Sequence, residues 1–220
     1  MTFSNLLETY ALHRGRDAAQ ESWAEHHWSA HYVFAVHRRT GKDLVFECRT
    51  PDGLEMVDAV ALVQQAKGAP AWIGEGLNGL QEALDLPGVV VIGALRPTTP
   101  PEDQRPVVGT LTVTFAEPDG PFDIEAYMPK DSPATIKSQQ DYHQLSDTMW
   151  RIHRMSGESQ GEGKEPLPVL LIEYVWLSKL GLVTMAFATT RLDMMGDKPR
   201  ELFDQIRQSA YIGENRSMAS

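Results

Sequence analysis

Two short runs rich in β-branched and aromatic residues, HYVFAVHR at 31–38 and DLVFECR at 43–49, flank the turn-forming Thr40-Gly41-Lys42. The pattern predicts two strands joined by a turn, with Leu44, Phe46 and Cys48 on one face of the second and Val45, Glu47 and Arg49 on the other. Asp52 followed by Glu55 has the form of a capping box. Leu54, Val57, Val60, Ala61 and Gln64 then recur at helical spacing, so a helix is expected over Leu54–Lys67, stopped by Gly68. A shorter helix is expected over Leu77–Leu84. Pro87-Gly88 turns the chain into the apolar run Val89–Leu95, which reads as a buried strand. Val107–Ala116 alternates valine, leucine and phenylalanine with threonine, the mark of a strand packed on one side.

The longest helical pattern lies over Thr135–Met155, where Tyr142, Leu145, Met149 and Ile152 fall at i, i+3, i+7 and i+10. On that helix Asp147 and Arg151 would pair four residues apart. Val169–Leu177 and Leu182–Thr190 are two apolar strands joined by Ser178–Gly181. Pro199 opens a terminal helix that turns Leu202, Phe203 and Ile206 inward and ends near Ser209. The segment Ser4–Trp28 is expected to be helical as well. Pro97–Pro106, with four prolines, and the Gly- and Glu-rich Ser156–Pro168 read as exposed loops. Hairpins outnumber βαβ units, which implies a single α+β domain over 1–220. Its largely antiparallel sheet of about six strands would be covered by helices, an α/β/α sandwich.

The apolar hairpin LPVLLIEYVWLSKLGLVTMAFATT, followed after a short loop by the amphipathic DKPRELFDQIRQSAYI, is similar to the closing segment of PsbP-like α/β/α sandwiches. The likeness is at the level of fold, covers only the C-terminal quarter and implies an accessory or binding role. It carries over no catalytic residue, since such folds share no catalytic set.

Thirty acidic residues against twenty basic ones give a formal charge of −10, a field that repels phosphate backbones and argues against nucleic-acid binding. The densest basic cluster is only Arg38, Arg39 and Lys42. Apolar stretches near Leu167–Leu177 and Leu182–Ala188 fall short of the roughly 20 residues that a membrane helix needs, so no membrane partner is expected. MTFSNLLETY has neither a basic nor a long apolar region of the kind a secretory signal carries, and Cys48 is the lone cysteine. Together these imply a soluble, cytoplasmic protein without disulfides.

Candidate chemistry is sparse. Gly74-Glu75-Gly76-Leu77-Asn78-Gly79 matches G-x-G-x-x-G. However, the strand before it would contain Pro70, Glu75 would set a carboxylate beside a phosphate, and Arg96 rather than an acid follows the next strand. The segment reads as a plain loop, so no nucleotide cofactor is expected. The cluster Trp23, His26, His27, Trp28 and His31 holds one histidine pair at i, i+4, a spacing that can chelate zinc. It lacks H-E-x-x-H and an evident third ligand, so it reads as an interface patch and no metal is expected. Cys48 on an apolar strand face would be inert. His143 and Asp147 would touch on the long helix, a pair common on solvated faces. No P-loop occurs. The expectation is therefore a non-catalytic protein that binds another protein or itself, with exposed Trp23, Trp28 and Trp150 as interface-prone residues. The rival is a small-molecule-binding protein or enzyme with a pocket between sheet and helices.

Overall fold

The computed structural model describes residues 28–35, 44–58, 88–98, 109–117, 120–190 and 199–214. Strands dominate them. In chain order they are β1 (Trp28–Ala35), β2 (Leu44–Pro51), β3 (Leu54–Asp58), β4 (Val89–Pro97), β5 (Gly109–Ala116), the short helix α1 (Ile124–Tyr127), β6 (Thr135–Ser146), β7 (Met149–Glu158), β8 (Leu167–Leu177), β9 (Leu182–Thr189), helix α2 (Pro199–Ser209) and β10 (Tyr211–Glu214). They form a three-stranded sheet, β1-β2-β10, and a seven-stranded sheet, β3-β4-β5-β9-β8-β7-β6. Every pairing in both sheets is antiparallel.

Apolar runs make the centre of the large sheet. β8 (LPVLLIEYVWL) and β9 (LVTMAFAT) pair along their whole length, and the turn between them closes through Ser178 N–H donating to the Gly181 carbonyl at 2.9 Å. A Cβ at Gly181 would sit 2.7 Å from both the Ala116 carbonyl oxygen and the Phe115 ring, so only glycine fits there. On one face of the sheet Leu170, Ile172 and Tyr174 of β8 and Met185 and Phe187 of β9 are buried. They share one apolar core with Phe46 and Cys48 of β2, Ile212 of β10 and Phe203 and Ile206 of α2. That core joins the two sheets through the helix. Ser209 ties α2 to β2 as well, its Oγ accepting from Arg49 N–H at 2.8 Å while its hydroxyl donates to Ile206 O at 2.7 Å. Cys48 is fully buried, as its place on an apolar strand face implied, and burial pushes its thiol up to about 12.

The α+β sandwich with about six strands covered by helices is overturned. The described residues are mostly β, with a seven-stranded antiparallel sheet and two helices among them, not an α/β/α sandwich. Two misreadings account for it. The long helix over Thr135–Met155 is the hairpin β6–β7, turning at Asp147-Thr148. Tyr142 and Ile152 share a face because they are direct cross-strand partners, and their i, i+10 spacing imitates a helical stripe. The pair expected between Asp147 and Arg151 is absent in consequence, since Arg151 binds Asp204 of α2. The first turn of the helix expected over Leu54–Lys67 is strand β3, whose Leu54 and Met56 are buried and whose Glu55 and Val57 are half-buried, a period of two rather than 3.6. Trp28, expected at the end of a helix, begins β1. Ser156–Glu158 and Leu167-Pro168, expected in a loop, extend β7 and β8. The expected helix Leu77–Leu84 and most of the loop Pro97–Pro106 lie outside the described residues.

Candidate functional site

β7 carries polar side chains into both faces of the large sheet, and its register decides what they meet. On the face that packs against α2, Asp141 of β6 stands opposite His153 of β7, His143 opposite Arg151, and Arg151 opposite Tyr174 of β8. Facing side chains of paired strands converge, because their Cβ atoms lie about 4.5–5.5 Å apart. His143 Nε2 is 3.0 Å from Asp141 Oδ2, and the His143 ring meets His153 edge-on with centroids 5.9 Å apart. One ligand atom from each of Asp141, His143 and His153 lies within 4.8 Å of the other two. His153 is buried at the back of the group, while His143 is about half exposed at 49%.

Next to this group the same face holds α2 in place. Arg151 Nη1 donates to both carboxylate oxygens of Asp204, at 2.9 and 3.1 Å, and the Tyr174 hydroxyl donates to Asp204 Oδ1. Arg200 Nε reaches the same carboxylate at 3.7 Å. Burial first, then the Asp204 carboxylate, push the Tyr174 phenol well above its ordinary range. One turn on, the Arg207 guanidinium lies 4.3 Å over the Trp176 ring, and burial lowers its pKa.

On the opposite face the Tyr127 hydroxyl of α1 donates to Glu173 Oε1 at 2.7 Å and lies 2.7 Å from Thr184 Oγ1. Phe122 packs between Tyr127 and Trp150, at 5.4 and 4.9 Å between ring centroids. Buried Arg154 fastens the segment before β6, donating to Lys130 O at 3.1 Å and to Asp131 Oδ1 at 2.7 Å. Burial, the largest influence, raises the Tyr127 phenol and also the Glu173 carboxyl; the hydrogen bond from Tyr127 pulls Glu173 the other way. A carboxyl raised in the folded state keeps its proton where the unfolded chain has already ionised. Its stabilising share is therefore full below the ordinary carboxylate range, about 4.3, and is lost as pH rises through the folded value. Glu173→Gln, which retains an acceptor for Tyr127, should be more stable than the parent at pH 7 and no more stable at pH 3.5. Urea melts at both pH values test this; equal destabilisation at both would assign Glu173 a purely packing role.

Of the residues expected at an interface, Trp23, His26 and His27 lie outside the described residues, as does Gly74–Gly79. Trp28 and His31 stand on β1, opposite Pro51 and Arg49. Trp150 is half-buried against Phe122 rather than exposed. His143 is on a strand, and its carboxylate neighbour is Asp141 rather than Asp147. Asp141, His153, Tyr127, Glu173 and Arg154 were not legible as site residues. Two signals could have marked some of them: a lone glutamate inside the apolar run LLIEYVW, and the placement of His153 as the mirror of Asp141 about the Asp147-Thr148 turn.

The outermost strand of the sheet has its own character. β6 runs for 12 residues, is mostly exposed, and carries two bulges, between Thr135 and Lys137 and between Gln144 and Ser146. The inserted residues are Ile136 and Leu145, which are 60% and 45% exposed. No family model matches this sequence, and neither does any curated protein.

Proposed function

We propose that this protein acts by binding another polypeptide along the outer edge of β6. The observation that carries the reading is the placement of its exposed apolar side chains. Among the described residues the large exposed hydrophobics are Ile136, Tyr142, Leu145 and Tyr211; the first three are on β6, and the fourth is on β10, at the edge of the other sheet. The two bulges bracket a regular stretch, Lys137–Gln144, that spans about 25 Å at the rise of an antiparallel strand. An extended segment laid along that stretch would gain backbone hydrogen bonds and meet an apolar side chain at each end. The bulges themselves limit how far an added strand can pair, which works against open-ended aggregation. β6 carries one lysine and one aspartate, so it is near neutral within a chain of net charge −10. That overall charge opposes self-association and favours a different chain as occupant.

A photo-crosslinking residue at position 145 should give one discrete adduct with another protein in cells, and the same residue at exposed position 164 should not. Ile136→Lys together with a crosslinker at 145 should lower the yield of that adduct. Equal labelling from both positions would sink the reading. An adduct with a second copy of the chain would replace the heterologous partner by self-assembly.

A further inference from the structure

We infer that Asp141, His143 and His153 form a binding site for a divalent transition-metal ion at the β6–β7 edge. The inference rests on side-chain geometry and is independent of the partner-binding reading. The hairpin register is what assembles the group. Asp141 and His143 are two apart on β6 and so project from one face, and His153 faces Asp141 across the ladder. Their ligand atoms already lie within 4.8 Å of one another. A tetrahedral ion with ligands at about 2.0–2.2 Å holds those atoms about 3.4 Å apart. A rotation of the His143 side chain, which is half exposed, is the movement that would close that difference.

The donor set selects the class of ion. Two imidazoles and one carboxylate suit zinc, iron(II), cobalt(II) or nickel(II), whereas calcium and magnesium take oxygen ligands. Three protein ligands leave at least one coordination position open, and the exposed side of His143 gives it access to solvent. Burial of His153 supplies a fixed back wall, the arrangement that pre-sets a first ligand before the ion arrives. The neighbouring Arg151 guanidinium would repel a cation, but Asp204 binds it through two short hydrogen bonds and neutralises it. The Asp141 carboxylate then remains to offset the charge of the ion.

The test uses the untagged full-length chain, stripped of metal and titrated with cobalt(II). Expected are a saturable visible d–d absorption, its loss on adding zinc(II), and no competition from a large excess of magnesium(II) or calcium(II). His143→Ala should weaken cobalt binding by about tenfold or more, with far-UV circular dichroism and melting temperature of the metal-free protein unchanged. This variant also separates the site from the histidines near the N-terminus, which it leaves intact. Unaltered binding in His143→Ala, no saturable absorption in the parent, or displacement by magnesium(II) would each overturn the inference.

Discussion

Phe203→Ala should destabilise the protein by about 3–5 kcal/mol, the range for truncating a fully buried phenylalanine. Phe203 has no exposed surface, and its ring stacks on Phe187 at 4.4 Å between centroids and 14° between planes. Phe187 in turn meets Tyr174 edge-on at 6.1 Å. The void would open between a helix and a sheet. Its sheet-side wall is made of strands tied into ladders, which resist collapse into it and set the cost at the upper part of the range. A domain's whole stability is about 5–15 kcal/mol, so this one change removes a large fraction of it. Urea denaturation followed by tryptophan fluorescence reads the effect as a fall in midpoint at constant slope. Phe203→Leu, which keeps most of the volume, should lose clearly less. A loss under about 1 kcal/mol for the alanine variant would show that α2 is a detachable arm and not part of the core.

What was legible in the sequence follows from how each element is buried. β8, β9 and α2 were legible because their burial leaves a plain mark: strands covered on both faces become continuous apolar runs, and a helix covered on one side keeps a stripe. β5 was legible for the opposite reason. Leu111, Val113 and Phe115 are buried while the threonines between them are half-buried, an alternation with no competing period. β7 fits neither pattern. It is buried on both faces, yet the buried residues include His153, Arg154 and Ser156 as well as Ile152 and Met155. Buried polar residues erase both the apolar run and the alternation, and the spacing of Tyr142, Leu145, Met149 and Ile152 then mimicked a helix.

The candidate site was lost by the same step. On a helix, His143 can be matched only with residues three or four away, which led to Asp147. On a hairpin it belongs with Asp141 beside it and with His153 ten residues along, a partner that no fixed linear spacing announces. The edge residues were hidden too, because the outward placement of Ile136 and Leu145 depends on bulges that follow from the β6–β7 register.

Asp204→Ala should cost up to about 3–5 kcal/mol, the range for removing one partner of a buried ion pair, since this pair is largely though not fully buried. The side chains of Asp204 and Arg151 are only 15% and 14% exposed, so little water is present to replace the lost partner. Arg151 would lose its bidentate acceptor and the Tyr174 hydroxyl its carboxylate acceptor, both beneath α2. The pair is nevertheless not expected to be a large net source of stability, because taking two charges out of water offsets most of their attraction. The two statements are separable by experiment. Asp204→Ala alone should show the full loss in urea melts. The triple variant Arg151→Met, Tyr174→Phe, Asp204→Leu removes the closely bonded polar groups while roughly conserving volume, leaving only the more distant Arg200, and should recover much of it. If the triple variant is instead as unstable as Asp204→Ala, the network itself stabilises α2 on the sheet. If Asp204→Ala melts like the parent, Arg151 has found another acceptor and the helix is held by its apolar face alone.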